Sequence, residues 1–297
     1  MSQLEQMKIF AAVVKSGNFT TAASQLGISK QLVSRRIMEL ESRLGARLLL
    51  RTTRKLSTTE LGREFYQRCL NILQQVDEAE QAVASSSGEL RGLLRISAPV
   101  SFASMMLAPA LNQFMQLHPK LELALDVDNR LVDVVGEGYD MVIRITQQPD
   151  EGMVARRLMD SPLVYCCSPA YLQQYGEPAS PLQLGLHRCI SARSAEWPFI
   201  VNGEPLKLMV HPVLRSNHGE VMCAAAVAGL GIVGLPWFYV REALQRGELV
   251  QVLRGFMGDS SAVYALYPQH RQSSLMVRSL ADFLQQWFSA DREKMAG

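Results

Sequence analysis

The 297-residue sequence predicts an α/β protein with a small helical region at its N-terminus. Apolar residues follow helical spacing in the first part of the chain, whereas strand-like and helix-like runs alternate from Leu90 onward. Charged residues are also distributed unevenly between the N-terminal region and the rest of the chain. Residues 1–58 hold ten Lys and Arg against three Glu, a net charge of +7. The whole chain is +2, so the remainder is −5, and this division indicates that the N-terminal end meets a polyanion.

Two short helices separated by Gly27 are predicted within residues 19–41. Thr20 or Thr21 is expected to cap the first helix and Ser29 the second, because a hydroxyl accepts hydrogen bonds from the free amides of a first turn. Glycine fits a left-handed turn between the helices. The pattern is typical of a helix-turn-helix, and an ordinary helical hairpin with a solvated polar face would share it.

The second of these helices has two different faces. One face is an apolar stripe, which comprises Val33, Ile37, Leu40 and Leu44. The opposite face carries Gln31, Ser34, Arg35 and Met38. Amide, hydroxyl and guanidinium groups on a packed helix can contact base edges in the major groove of DNA, which favours the helix-turn-helix interpretation.

A basic hairpin is predicted directly after this helix. Two short β-prone runs flank Thr52-Thr-Arg-Lys55, and such a hairpin would form a wing beside the second helix. Its cationic side chains could contact phosphates or a minor groove. We expect contacts with base edges or nearby phosphates from Lys30, Gln31, Ser34 and Arg35. We expect contacts mainly with the DNA backbone from Thr20, Thr21, Arg36, Arg51, Arg54 and Lys55.

Residues 1–62 resemble the winged helix-turn-helix of the LysR-type bacterial transcriptional regulators. The segment Ser29-Lys-Gln-Leu-Val-Ser-Arg-Arg-Ile37 is similar to the family's usual Ser-Gln-Pro-Ala-Val-Ser-Arg-Gln-Ile. The Ser34-Arg35 pair matches, whereas Lys30-Gln-Leu32 departs from the motif. This departure implies that different bases are read at the start of the helix.

A long helix is predicted from Thr58 or Thr59 to a hinge at Ser85-Ser-Ser-Gly88. Its apolar residues recur every three or four positions, at Leu61, Phe65, Cys69, Ile72, Val76, Ala79 and Val83. This stripe is too long for a small N-terminal domain to cover, so a second copy of the helix is the expected partner, and packing on the chain's own body is the alternative. The predicted domains are residues 1–58, 59–88 and 89–297.

The alternation after residue 89 predicts a parallel α/β sheet flanked by helices. Predicted strands are 93–97, 121–127, 141–145, 163–167, 232–235 and 262–267. Predicted helices are 101–117, 131–136, 169–175, 220–228 and 275–288. The resemblance implies an effector-binding body of periplasmic-binding-protein type with two subdomains, the first at 89–162 and 267–297 and the second at 163–266.

A small-molecule effector would lie between those subdomains, at strand ends and helix starts. Ser101 begins a helix after a strand, so its hydroxyl and nearby amides suit a carboxylate or another anion, or form a simple cap. Asp128 would disfavour an anion beside it. The expected effector-binding residues are Ser101, Phe102, Asp128, Asn129 and Thr146 in the first subdomain, with Ser191, Arg193, Trp197 and Asn217 opposite.

Several classes of function lack their sequence motifs. The chain has no Gly-x-Ser-x-Gly elbow and no Walker loop, so we expect no catalytic residues, no enzymatic activity and no cofactor. The G-x-G-x-x-G at Gly229–Gly234 has its helix before it and its strand after it, the reverse of a dinucleotide site. The five cysteines lack zinc-ligand spacing, so we expect free thiols and no metal.

Residues 221–240 are uncharged over the length of a membrane span, but four Gly and Pro residues interrupt them, so no membrane association is expected. The N-terminus lacks the pattern of a signal peptide, which predicts a cytoplasmic protein. The resemblance implies operator DNA, an effector, a homodimer or homotetramer, and RNA polymerase as partners. There are two alternatives. One is an architectural DNA-binding protein without ligand, and the other is a ligand-binding protein whose N-terminal domain binds protein. Salt-dependent DNA affinity separates this second alternative from a DNA-binding regulator.

Overall fold

The computed structural model describes residues 2–51, 56–84, 89–258 and 261–295. The chain divides into two compact units. The first comprises residues 1–91 with the short segments Val135–Glu137 and Ser273–Leu275, and the second comprises the other residues.

The described residues of the first unit form four helices and a small antiparallel sheet. These are α1 (Gln3–Ser16), α2 (Phe19–Leu26), α3 (Lys30–Leu44), β1 (Leu49–Arg51), β2 (Leu56–Thr58) and α4 (Glu60–Ala84). Its core is built from one face of each helix and the start of the sheet, including Phe10, Val13, Ala22, Val33, Ile37, Leu40, Leu48 and Cys69. The apolar stripe predicted for α3 is therefore correct for three of its four residues. Leu44 is 38% exposed because it is the last residue of the helix, next to Gly45.

The turn between α2 and α3 follows the prediction, but the cap of α2 does not. Asn18 caps α2, since its Oδ1 accepts hydrogen bonds from the amides of Thr20 (2.7 Å) and Thr21 (3.4 Å). The expectation that either threonine is the cap was wrong, because both lie inside the first turn. Ser29 caps α3 as predicted, and Gly27 adopts the left-handed conformation with φ 65°.

The predicted hairpin is present as strands β1 and β2, which pair in antiparallel register from Leu49 opposite Thr58 to Arg51 opposite Leu56. Its tip, residues 52–55, lies outside the described residues. Helix α4 begins after Thr59, whose Oγ1 accepts from the amide of Gly62 at 2.9 Å. The predicted hinge at 85–88 also lies outside the described residues.

Where the structure describes it, the second unit forms two mixed five-stranded sheets and a separate hairpin. The first sheet has the order β4-β3-β5-β14-β6, with β3 at Gly92–Ala98, β4 at Leu121–Val127, β5 at Met141–Thr146, β6 at Met153–Ser161 and β14 at Ser261–Pro268. The second has the order β11-β8-β12-β7-β13, with β7 at Leu163–Cys167, β8 at Cys189–Ser191, β11 at Pro212–Arg215, β12 at Ile232–Pro236 and β13 at Val250–Val252. Strands β9 (Glu196–Val201) and β10 (Glu204–Met209) form the hairpin.

Helices follow or precede these strands. They are α5 (Val100–Phe102), α6 (Ala108–Leu117), α7 (Pro169–Tyr175), α8 (Gly219–Val227), α9 (Trp237–Gln245) and α10 (Leu275–Met295). A π-helical turn at Ala103–Leu107 joins α5 to α6, so residues 100–117 form one helical run. Short 3-10 helices lie at Pro181–Leu186, Arg254–Phe256 and Gln269–Arg271.

Three predictions for this unit were wrong. The sheets are mixed and not parallel, because β14 runs antiparallel to β5 and β6, and β12 runs antiparallel to β7. Residues 131–136 form no helix; a turn replaces it, in which the Tyr139 amide donates to the Val134 carbonyl at 2.9 Å. Strand β14 belongs to the first sheet, so the chain returns to the first subdomain before Ser261 and not near residue 266.

The glycine-rich segment forms helix α8, a turn and then strand β12, as the interpretation against a nucleotide site required. A Cβ on Gly231 would lie 2.3 Å from the Arg188 carbonyl oxygen. The small residue therefore allows two backbone segments to approach closely.

Gly62 makes a similar close approach in the first unit, where a Cβ would lie 2.0 Å from the carbonyl oxygen of Leu48. We predict that Gly62→Ala separates α4 from the strand region and destabilises the first unit by about 1–3 kcal/mol. Faster amide hydrogen exchange in α1–α3 would measure this loss. Gly185→Ala, where a Cβ meets nothing within 4 Å, is the control. All three tryptophans lie in the second unit, so unchanged tryptophan fluorescence is expected, and wild-type exchange rates in α1–α3 would contradict the prediction.

Candidate functional site

Helix α3 presents a polar surface whose position is fixed by the buried opposite face. Val33, Ile37 and Leu40 are fully buried in the core of the first unit. The outward side chains, which we call the reader surface, are Lys30, Gln31, Ser34, Arg35 and Met38. All are exposed except Ser34, which is half-buried. The structure thus brings together the four residues for which contacts with base edges or nearby phosphates were predicted.

One carboxylate on α3 binds two of its arginines. Glu39 Oε1 accepts from Arg35 Nε at 3.0 Å, and Glu39 Oε2 accepts from Arg36 Nη1 at 2.7 Å. The hydrogen bond from Arg36, followed by that from Arg35, lowers the pKa of Glu39, so the carboxylate stays ionised. The Arg35 side chain is 72% exposed, whereas that of Arg36 is only 24% exposed.

A second carboxylate connects α3 to the wing. Glu41 Oε1 accepts from the amides of Leu48 at 2.8 Å and Leu49 at 3.0 Å, both of which are buried residues at the start of the hairpin. The hairpin is therefore held at a fixed place beside the reader surface. In the sequence, Glu41 appeared only as one of three anions in a basic region, and no pattern connected it to residues seven and eight positions away.

The remaining residues predicted to contact DNA are less completely described. Thr20 and Thr21 are exposed at the start of α2. The backbone of Arg51 lies at the end of β1. Arg54 and Lys55, at the predicted tip of the wing, lie outside the described residues.

In the second unit, Ser101 belongs to a polar cluster that joins the two sheet subdomains. Its Oγ donates to Glu220 Oε2 at 2.8 Å, and His218 Nδ1 lies 2.8 Å from the same oxygen. Tyr239 also interacts with Ser101, and burial is the main reason that the pKa of Tyr239 is raised. Ser101 follows β3 of the first sheet, and the other three residues border α8 and α9 of the second. We call these four residues the Ser101 cluster.

Three of the predicted effector-binding residues are buried and make contacts within the protein. Phe102 is fully buried, with its ring 5.6 Å from that of Phe238 and 5.7 Å from that of Phe288. The buried Trp197 indole donates from Nε1 to Ser191 Oγ at 3.0 Å. Ser191 in turn donates to the Ser194 carbonyl, so both its donor and its acceptor functions are used.

Asp128, Asn129 and Thr146 lie at strand ends, as expected. Asn129 Oδ1 accepts from the Val100 amide at 3.1 Å, beside Ser101. Asp128 pairs with Arg130, and hydrogen bonds from that residue, the backbone amide first, lower the pKa of Asp128. The hydroxyl of Thr146 donates to the Gln148 carbonyl. Arg193 and Asn217 are exposed on the second subdomain.

Several polar residues of this region were not predicted. His218, Glu220 and Tyr239 complete the Ser101 cluster, yet Glu220 lies 119 positions from Ser101 in the sequence. Arg144 is half-buried, and desolvation lowers its pKa. Its Nη1 donates to the Ile143 carbonyl at 2.8 Å. No local spacing in the sequence connects these residues.

All five cysteines are free thiols, and four of them are buried. Burial raises the pKa of Cys69, Cys167 and Cys189 to about 12, which leaves few reactive thiolates near neutral pH. Within the described parts of the chain, no cluster of His, Cys, Asp or Glu has the composition of a metal site. Among those same residues, no helix is long and apolar enough to span a membrane.

Comparison with known proteins gives the family. Residues 4–63 match the family described as bacterial regulatory helix-turn-helix protein, lysR family, and residues 87–289 match the LysR substrate binding domain. The chain belongs to the LysR family. It is a LysR-type transcriptional regulator with a DNA-binding helix-turn-helix and a substrate-binding domain, and binding of an effector between two subdomains is characteristic of this family.

Individual relatives align with this LysR-type regulator over nearly its whole length. The HTH-type transcriptional regulator DmlR of Escherichia coli K12 is 35% identical over 96% of this chain and 94% of its own length. The full-length Vibrio cholerae virulence activator AphB is 28% identical with a TM-score of 0.62, covering 97% of this chain and 100% of its own. The Neisseria meningitidis LysR-type regulator CrgA is 28% identical with a TM-score of 0.58, covering 96% and 99%.

Glu41 provides a test of the coupling between α3 and the wing in this LysR-type regulator. We predict that Glu41→Ala leaves the Leu48 and Leu49 amides unpaired and destabilises the first unit by about 1.5–3 kcal/mol, the usual contribution of hydrogen bonds to a charged group. Denaturation followed by hydrogen exchange in β1 and α3 measures the change. Glu41→Gln keeps an acceptor oxygen and should retain most of the stability, and equal losses in the two variants would contradict the assignment.

Proposed function

We propose that this regulator places α3 in the major groove of an operator and reads it with Lys30, Gln31, Ser34 and Arg35. The observation that supports this most directly is the reader surface itself. It is a polar, cationic surface on a helix whose opposite face is buried, and it lies beside the wing in a region of charge +7.

Contacts with the DNA backbone are proposed for the margins of this surface. Thr20 and Thr21 at the start of α2 would meet phosphates on one side, and Arg51, Arg54 and Lys55 of the wing would meet phosphates or a minor groove on the other. Arg36 was expected to join them. Its guanidinium bond to Glu39 and its low exposure support a role within the helix instead.

We further propose that the regulator acts as a dimer through α4. Phe65 and Cys69 pack on the core of the first unit, but Leu61 is 58% exposed and Ile72 is 38% exposed on the same apolar stripe. A second copy of α4 would cover them and present two reader helices to half-sites about one helical turn apart or a multiple of it.

A tetramer, contact with RNA polymerase and a cytoplasmic location complete the proposal. The relatives named above are transcriptional regulators, which supports a role without catalysis.

The Ser101 cluster is the proposed control point. It joins the start of the helical run at residue 100 to the start of α8, so a small molecule that competes for Ser101 or Glu220 would change how the two subdomains meet. The proposed boundaries are those predicted from the sequence, with the return to the first subdomain moved to Ser261. The effector changes DNA binding in this scheme by altering the placement of the reader helices in the oligomer.

Arg35→Ala tests the DNA-binding proposal. We expect the variant to lose about 1–3 kcal/mol of affinity for an operator, with a relaxed sequence preference, because a contact to a base edge is lost. Fluorescence anisotropy against the DNA upstream of the regulator's own gene, with random DNA as control at two salt concentrations, measures this. Loss of affinity that is equal on both DNAs would make Arg35 a phosphate contact, and no binding by folded wild-type protein at low salt would refute the proposal.

Glu220→Ala tests the Ser101 cluster. We expect amide hydrogen exchange to accelerate at the start of α8 and in residues 100–107, because the carboxylate that accepts from Ser101 is removed. Glu242→Ala is the matched control, since Glu242 is exposed on α9 and pairs with Arg246. A metabolite screen by thermal shift should then give ligands whose effect is weakened in Ser101→Ala. Wild-type exchange rates in Glu220→Ala would show that the cluster does not join the subdomains.

A further inference from the structure

Glu39 differs from the other charged residues of α3 because each of its two carboxylate oxygens binds a different arginine. Oε1 accepts from Arg35 one turn earlier in the helix, and Oε2 accepts from Arg36. Pairs of this kind at i,i+3 and i,i+4 commonly stabilise helices a little. Here the two arginines are consecutive and the first belongs to the reader surface, so the geometry of each pair matters.

Arg35 is bound through Nε, which lies on the side of the guanidinium group. Nε lies 3.0 Å from Glu39 Oε1, so this pair restricts the guanidinium without using either of its terminal nitrogens. The side chain is 72% exposed. Two parallel N–H groups at the end of a fixed guanidinium match the O6 and N7 acceptors of guanine in the major groove.

Arg36 is bound in the opposite manner, through its terminal Nη1 at 2.7 Å, and its side chain is only 24% exposed. A guanidinium held by its end and packed along the helix does not extend toward a phosphate. One carboxylate therefore orients one arginine for a base and retains the next arginine on the helix. It also places a negative charge one turn from the base-reading group, which opposes the general attraction to phosphate.

We propose that Glu39 is a positioning residue that sets the sequence preference of this regulator by orienting Arg35 toward a guanine and by withholding Arg36 from the DNA backbone. The inference rests on the proposed function, in which α3 enters the major groove. It adds that a residue which need not touch DNA determines how strongly one base pair is distinguished.

The test compares Glu39→Gln with Glu5→Gln, which makes the same change of charge on α1 and leaves the pairs of Glu39 with Arg35 and Arg36 intact. Selection from a random duplex library with wild-type protein gives the preferred site and its most restrictive guanine. Anisotropy then measures affinity for that site, for the site with the guanine replaced, and for random DNA. Wild-type protein is expected to distinguish the guanine about 5- to 150-fold, the equivalent of one bidentate contact.

Glu39→Gln is expected to reduce this discrimination at least about fivefold, since it frees Arg35 to adopt other orientations, and to increase affinity for random DNA. Glu5→Gln should leave the discrimination unchanged. Glu39→Asp retains the charge on a shorter side chain that cannot reach both arginines, so it should lose discrimination without the increase on random DNA. In an Arg35→Ala background, Glu39→Gln should change the discrimination no further.

These outcomes separate the two proposals. If wild-type protein enriches no sequence, DNA reading by α3 fails and this inference fails with it. If wild-type protein selects a site but Glu39→Gln and Glu5→Gln discriminate the guanine equally well, only the role of Glu39 is overturned. Circular dichroism and thermal unfolding of each variant identify any loss of the helix, and in that case the Glu39→Asp result decides.

Discussion

Burial of one face of α3 is the constraint on which the DNA-binding unit depends. Val33, Ile37 and Leu40 have no exposure to solvent, so rotation of α3 about its axis would bring apolar groups into water. The polar side chains on the other face are therefore presented in a fixed direction by the packing of the helix itself. Glu41 extends this order to the hairpin, because its carboxylate binds the amides of Leu48 and Leu49.

In the second unit, a polar contact between elements of the two sheets helps to fix their arrangement. Its two mixed sheets are each stable layers with their own cores, and the polar contact between Ser101 and Glu220 bridges elements that belong to different sheets. A single hydrogen bond to a carboxylate is weak enough for a ligand to replace and directional enough to define one arrangement. Phe102 and its two phenylalanine neighbours provide apolar packing beside it.

Elements with a strong local signal could be predicted from the sequence, and contacts between distant residues could not. The α3 stripe, Gly27, Ser29 and helix α7 each depend on spacing or caps within a few residues. Asn18 was missed as a cap because two threonines follow it within three residues and offer the same chemistry. The hairpin β9–β10 was also missed, although Asn202-Gly203, both with positive φ, is a typical two-residue hairpin turn flanked by alternating apolar residues.

The candidate site could likewise be predicted from the sequence only in part. Lys30, Gln31, Ser34 and Arg35 follow from helical periodicity, whereas Phe102 and Trp197 were placed at a ligand site by position along the chain and are core residues. Burial of an aromatic side chain depends on what packs against it from other elements, and Phe102 is covered by rings from α9 and α10, more than 130 residues away. Glu220 could be found only once the chain had brought α8 next to Ser101.

The π-helical turn at Ala103–Leu107 sets the direction in which Ser101 points. A π turn holds one residue more than an α turn, and each residue added to a helix rotates whatever precedes it by about 100° relative to whatever follows. The residues after the turn, such as Leu111 and Phe114, are oriented by the core in which they are buried. The direction of the Ser101 hydroxyl about the helix axis therefore depends on the number of residues between it and that buried segment. A change in the length of the π-helical turn would redirect the hydroxyl while leaving every side chain of the cluster intact.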